Sequence, residues 1–213
     1  MITVWGRATS GNVQIVMWAA AELGLDVDRR DVGGAFGGTN TPEYLAMNPN
    51  GLVPTVQDGE LTMWESAAVV RYLGATYGDE KFWPRSPAER APIDMWAEWT
   101  KTSFVVDFIG GIFAPLVFRA PSQRDPAAIA AAEKRVQRLA RIADARMVQS
   151  AYLGGDHPAF GDYVFGAPLY RYFTLNEFER AETPHLRAYF DRLTQRPAYS
   201  QHVMIEYDSL RPK

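Results

Sequence analysis

Residues Val53 to Leu73 read VPTVQDGELTMWESAAVVRYL, and the reading of this stretch decides the fold. Two short apolar runs, Val53 to Val56 and Leu61 to Met63, flank Asp58-Gly59, a dipeptide that suits the tight turn of a β-hairpin. From Glu65 to Tyr77 the pattern changes period. Ala68, Val69, Tyr72 and Leu73 fall on one helical face, and Gly78 closes the helix. Pro54 stands at the entrance of the first strand, where a missing ladder donor is tolerated; about 5–6% of X-Pro bonds in folded proteins are cis. Glu65 and Ser66 stand where the helix begins. As local structure they are a cap and a favourable charge. As a site, the hydroxyl and the first-turn amides would receive a ligand carboxylate and Glu65 an ammonium.

Working outward toward the N-terminus, Ile2 to Trp5 reads as a buried strand. Val13, Val16, Met17, Ala20 and Leu23 follow at helical spacing, and Gly24 stops that helix. VDRRDV, Val27 to Val32, occupies the place of a second strand despite few apolar residues. Gly33 to Gly38 is a flexible loop, and Thr41-Pro42 opens a short helix. The order β-α-β-α-β-β-α predicts a small α/β domain over residues 1–78. The turn between its first strand and first helix, WGRATSGNVQIV from Trp5 to Val16, holds Arg7, Thr9, Ser10 and Asn12. Small polar residues there are what a helix cap prefers. The same groups beside the positive end of a helix would also stabilise an anion or a thiolate.

Toward the C-terminus the character changes. GDEKFWPRSP, Gly78 to Pro87, is a charged linker with two prolines, assigned to residues 79–87. Ser86-Pro87-Ala88-Glu89 predicts a capping box with proline at the first helical position. Asp125-Pro126 predicts a helix to about Gln149 with Val136, Leu139, Ala143 and Met147 inward. Thr183-Pro184 predicts another, with Leu186, Tyr189, Phe190 and Leu193 inward. Residues 88–213 therefore read as an all-helical domain. Val105 to Phe118 is strongly apolar but interrupted by Asp107, Gly110, Gly111 and Pro115. It reads as too short and broken to span a membrane, with Pro115 ending or kinking its helix. Trp96 and Trp99 are expected in the interdomain core.

The chain has 213 residues, 47% of them hydrophobic, and a net charge of -3. No basic face calls for nucleic acid. No membrane partner is expected, and a soluble cytoplasmic protein is. Cysteine is absent, which excludes disulfides, thiolate metal sites and a cysteine nucleophile, so any thiol chemistry must use a thiol carried by a ligand. His157, His185 and His202 have no spacing that suggests a metal site, and none is expected.

Taken together, NPNGLVPTVQDG (Asn48 to Gly59), LTMWESAAVVRYL (Leu61 to Leu73), FWPRSPAERAPIDMW (Phe82 to Trp96) and PHLRAYFDRLTQRPAY (Pro184 to Tyr199) resemble the glutathione S-transferases over almost the whole chain. The resemblance implies a thioredoxin-like first domain and an all-helical second domain that lines the second-substrate site. It implies that Val53 and a cis Pro54 hold the cysteinyl backbone of glutathione. Glu65 and Ser66 would hold its γ-glutamyl end, and Asn50 would reach the glycyl carboxylate. Ser10 falls where serine-type members place the thiol-activating hydroxyl; tyrosine-type members place theirs near Trp5 and Gly6. The string WGRATSGNVQ, with AFGGTNTPEY downstream, is similar to a cysteine-free bacterial branch in which Asn12 and Arg7 are candidates beside Ser10, with Thr9 third. In that branch an arginine near Arg119 faces the site. Phe104, Phe108, Ile112 and Phe113 are expected near an apolar wall, with Phe108 and Ile112 as substrate contacts. Where many members have Ser/Thr-x-x-Asp, this chain has Ala159-Phe160-Gly161-Asp162, keeping the aspartate and losing the hydroxyl. The implied activity is conjugation of the glutathione thiolate to a small apolar electrophile by a homodimer, as in detoxification. Glutathione-dependent disulfide reduction, isomerisation of a small dicarboxylate held by an arginine such as Arg119, and non-catalytic glutathione binding stay open as alternatives.

Overall fold

The computed structural model describes residues 1–212. Its first part opens with strand β1 (Ile2–Trp5), helix α1 (Gly11–Glu22) and strand β2 (Val27–Arg30). Helix α2 (Pro42–Met47), strands β3 (Thr55–Asp58) and β4 (Leu61–Trp64) and helix α3 (Ser66–Tyr77) follow. The sheet order is β2-β1-β3-β4, with β1 parallel to β2 and antiparallel to β3, and β3 antiparallel to β4. This is the thioredoxin-like arrangement the sequence implied. The first ladder residue of β3 is Thr55 rather than Val53, because Pro54 has no amide to give. Gly59 turns the hairpin with φ +59°. Strand β2 is one edge of the sheet; Arg30 pairs with Asp28 within it, and Arg29 with Asp31 just beyond its end. Charges of this kind keep an edge strand from pairing with other chains.

Among the described residues after Tyr77 the regular elements are helices joined by loops. Helix α4 (Pro87–Trp99) runs on through wide π-type turns over Thr100–Phe104 and Val106–Phe113 into α5 (Ala114–Phe118). Then come α6 (Pro126–Met147), α7 (Phe160–Thr174), α8 (Pro184–Thr194) and α9 (Pro197–His202). Pro115 does not end the helix. It sits where the π turns tighten back to α. Pro87 to Phe118 therefore forms one continuous 32-residue helix rather than a short broken one, long and apolar enough by length and composition alone to cross a membrane. Its side chains Phe104, Phe108, Ile112 and Phe113 are instead buried in the helical core. Gly111 permits a close crossing with α6: a Cβ there would lie 2.6 Å from the Ala132 Cβ.

Two of the predicted proline-led helix starts carry their cap. Asp125 accepts from the amides of Ala127 and Ala128 at 3.0 Å each, and Thr41 accepts from Tyr44 at 3.2 Å. Ser86 and Thr183 make no such side-chain bond; the amides of Glu89 and Arg90 are taken by the Ser86 carbonyl. Asp162 does more than complete a weakened box. Its buried carboxylate accepts from the amides of Leu153, Gly154 and Ala159 and from the Tyr189 hydroxyl. Burial outweighs these four donors and raises its pKa to about 6.

Helix α1 joins the two parts. Val13, Val16, Met17 and Ala20 face the sheet and α3. Ile15, Trp18 and Ala19 belong to the core of the helical part. The Trp18 ring is fully buried, 4.8 Å from the Tyr163 ring and 4.7 Å from that of Tyr199. Burying an indole contributes about 4–6 kcal/mol by area. Trp96 and Trp99, expected between the domains, pack instead on Phe165 within the helical part. Ion pairs reinforce the junction, Glu22 with Arg196 and Arg71 with Asp94 and Glu98.

Candidate functional site

Two clefts meet at Asn12. The first is lined by Asn12, Asn48, Asn50, Leu52, Val53, Pro54, Trp64, Glu65 and Ser66. The second, of about 210 Å³, is lined by Arg7, Thr9, Ser10, Asn12 and Gln14 on one side. Val105, Ile109, Phe118, Ala167, Pro168 and Arg171 line its other side. Four elements build them: the β1–α1 turn, the loop into β3, the start of α3, and the helical part.

The loop into β3 is fixed from inside. Asn48 is buried, and its amide nitrogen donates to the Leu52 carbonyl (2.8 Å) and to Thr55 Oγ1 (3.2 Å). Its oxygen accepts from the Asn50 amide (3.1 Å) and side chain (3.0 Å). Tyr44 donates to the Leu52 carbonyl at 2.7 Å and accepts from Thr55 Oγ1. These bonds hold the backbone that presents Val53, and the Val53–Pro54 bond is cis. Neither the amide nor the carbonyl of Val53 has a hydrogen-bond partner among the described residues. Asn50 is exposed, with its side chain turned to Asn48.

Glu65 precedes α3 with φ +70°, the single non-glycine residue with positive φ among those described. A non-glycine residue there costs of order 1–3 kcal/mol and persists where surrounding structure imposes it. Its side chain is not spent on capping, and Ser66 is 1% exposed. The Ser66 hydroxyl donates to Asn12 Oδ1 at 3.2 Å. The same oxygen receives the ammonium of Lys101 at 2.8 Å, and Lys101 Nζ also lies 3.4 Å from Ser66 Oγ. Burial lowers the Lys101 pKa, partly offset by Glu65 and Glu98. With its oxygen engaged twice, Asn12 keeps its amide donors free.

At the β1–α1 turn, backbone bonds fix the chain: Gly6 to Arg30, Arg7 to Val32 and Ser10 to Arg7. Gln14 Nε2 adds a bond to the Ala8 carbonyl. Ser10 precedes α1, and its carbonyl accepts from Gln14. Its hydroxyl does not cap the helix and has no hydrogen-bond partner among the described residues, though the residue is only 9% exposed. The first turn of α1 holds no acidic residue. Gly6 leaves no space for a side chain, since a Cβ would fall 2.4 Å from Val13 Cγ2. Trp5 stands on β1 beneath the Arg30 guanidinium.

Arg7, Thr9, Ser10 and Asn12 are thus brought to one cleft, and Asn50, Val53, Pro54, Glu65 and Ser66 to the other. Three expected contacts are not there. Phe108 and Ile112 are fully buried and belong to the helical core, because the cleft face of the long helix is the one that carries Val105 and Ile109. Arg119 is exposed, and its neighbour Phe118 lines the cleft instead. Sequence reasoning missed Lys101 and Arg171. Arg171 interrupts the otherwise apolar PLYRYF, and a charge in a buried helix is the signal that could have found it.

The glutathione S-transferase N-terminal domain family matches residues 1–75, and the glutathione S-transferase C-terminal domain family matches residues 104–197. The chain is 38% identical over 207 residues to glutathione S-transferase GstB of Escherichia coli K12, covering 96% of this chain and 99% of that one. It is 28% identical to glutathione S-transferase 3 of Zea mays, over 95% of this chain and 93% of that one. Among solved structures it is similar to the theta class glutathione S-transferase of Xanthomonas axonopodis pv. citri with glutathione bound. That match has a TM-score of 0.92 and 46% identity, over 97% of this chain and 98% of the other.

Proposed function

The chain belongs to the glutathione S-transferase family, and on that premise we propose that it joins the glutathione sulfur to a small electrophile with an apolar body. The tripeptide lies along the cleft of Val53, Pro54, Glu65 and Ser66. Val53 offers an unused amide and carbonyl to the cysteinyl backbone. Ser66 and the uncapped first-turn amides of α3 receive the γ-glutamyl carboxylate, and Glu65 the ammonium. Asn50 serves the glycyl end. The sulfur then falls at the junction of the two clefts.

The observation that carries the reading is the uncommitted Ser10 hydroxyl at the positive end of α1. Ser10 donates to the sulfur and the free amide of Asn12 assists. The helix end and Arg7 favour the thiolate over the thiol. Thr9 ranks third. The electrophile lies against Val105, Ile109, Phe118, Ala167 and Pro168. The sulfur attacks its carbon, a C–S bond forms, and the leaving group departs with its electron pair. Holding both reactants in one cleft supplies proximity, and donors already in place supply electrostatic stabilisation.

Domain boundaries of 1–78, 79–87 and 88–213 belong to the same reading, as does a role in detoxification. A homodimer that sets the first domain of one subunit on the second domain of the other is supported by exposed Leu52 and Trp64 on one side and Met95 on the other. Parallel assays with an aryl halide and with a disulfide test the function. Conjugation with halide release is expected; disulfide reduction alone, or glutathione binding without either activity, contradicts it.

A further inference from the structure

The second cleft holds more positive charge than a neutral electrophile requires. Arg171 is 7% exposed, yet no carboxylate pairs with it among the described residues. Its Nη2 donates to the Thr9 carbonyl at 2.6 Å, and its guanidinium lies 4.6 Å from the Phe113 ring. Its other nitrogens have no protein partner among those residues. Gly11 makes room for it: a Cβ there would lie 3.2 Å from Arg171 Nη1. Arg7 faces the same cleft, packed against Gly34, and its buried Nε has no partner. The third source is the N-terminus of α1, with neither an acidic residue nor a side-chain cap. Burial and the charge of Arg7 together push the Arg171 pKa down to about 10. Elsewhere the half-buried arginines Arg29, Arg71, Arg196 and Arg211 pair with carboxylates, while Arg146 and Arg180 each spend two nitrogens on oxygens of the chain. Arg171 spends one and stands beside a second arginine in an open cleft. An unpaired buried cation beside a second cation is costly unless an anion joins them.

We propose that Arg171 and Arg7 form an anion site for the second substrate, and that the preferred electrophiles are short-chain carboxylic acids with the carboxylate one or two carbons from the reacting carbon. The inference rests on the glutathione transferase reading and adds the substrate class. Ser10, Asn12, the helix end and Arg7 already serve the thiolate, so Arg171, which has no part in that set, answers a different negative charge with Arg7 beside it. The short chain follows from position. Arg171 touches Thr9 and approaches Gly11, the two neighbours of Ser10, so a carboxylate held there lies close to the sulfur. A carboxylate brought beside a thiolate is repelled by it, and two guanidiniums offset that repulsion. Planar guanidinium groups match a carboxylate with paired hydrogen bonds. The carboxylate itself does not react.

Calorimetric binding of S-(2-carboxyethyl)glutathione, its uncharged isostere S-(2-carbamoylethyl)glutathione, and S-methylglutathione tests this without reference to turnover. The wild type should bind the carboxylate at least about tenfold tighter than the amide, a difference of about 1.4 kcal/mol. That ratio should fall to about one in Arg171→Met. It should fall at least threefold in Arg7→Met, which touches the core less and serves if the first variant fails to fold. Equal binding of carboxylate and amide by the wild type overturns the proposal, as does a ratio that survives in a folded variant. A parallel loss of all three ligands in the variants also overturns it, assigning the arginines to glutathione itself. A wild type that binds none of the three removes the glutathione reading along with it.

Discussion

Ser10 is a hydroxyl with no task inside the chain. A serine before a helix ordinarily accepts from a first-turn amide, and this one does not. Glu65 shows the same pattern in its backbone, held at φ +70° at a helix start it does not cap. Both residues were legible in the sequence because their neighbours carry recognisable spacing. Lys101 and Arg171 were not, because nothing local ties them to residues 89 and 162 positions away. Lys101 crosses from the helical part to Asn12 and Ser66 and fixes the Asn12 amide; in the proposed binding mode it would add a cation for the γ-glutamyl carboxylate. Charge-assisted hydrogen bonds contribute about 1.5–3 kcal/mol, less where water competes. Lys101→Met is therefore expected to raise the KM for glutathione about tenfold and to change kcat at saturating glutathione by less than about threefold. Steady-state kinetics checks this, and an unchanged KM would remove Lys101 from the site.

Helices were read correctly where one face is apolar and less completely where two are. The spacing of Val13, Val16, Met17 and Ala20 marks the sheet-facing side of α1. The second stripe, Ile15, Trp18 and Ala19, belongs to a different core, and a helix apolar all round is one enclosed by other elements. The long helix from Pro87 to Phe118 defeated the reading for another reason. Wide π-type turns change which residues share a face, so 3.6-residue spacing did not separate Val105 and Ile109 from Phe108 and Ile112. Asp162 was legible as part of a capping motif, but its burial was not. An amide in its place would turn a donor toward backbone donors, so Asp162→Asn should cost about 1–3 kcal/mol. Its pKa is raised from 3.8 to about 6. Between those values the folded chain keeps a proton that the unfolded chain releases, so this group's contribution falls as pH rises. Denaturant unfolding of both proteins should show a larger wild-type advantage at about pH 4 than at about pH 7. An advantage that grows toward neutral pH would contradict the assignment.

At the scale of the whole molecule, the site exists because the two parts are locked together. Trp18, the Glu22–Arg196 pair and the Arg71–Asp94 pair hold α1 and α3 against the helical part. That junction sets Val105, Ile109 and Arg171 opposite Ser10. The thioredoxin-like part supplies the peptide-binding edge and the helix end. The helical part supplies the wall and two cations. The central claim is that their meeting point stabilises the glutathione thiolate through a hydrogen bond from Ser10. The direct measurement is the ultraviolet absorbance of bound glutathione thiolate across pH, for the wild type and for Ser10→Ala. The account predicts a bound thiol pKa well below the free value of about 8.5 in the wild type. In the variant it should return by at least about one unit while glutathione affinity changes little. A bound thiol that titrates like the free one, or a depressed value that survives in Ser10→Ala, would contradict it.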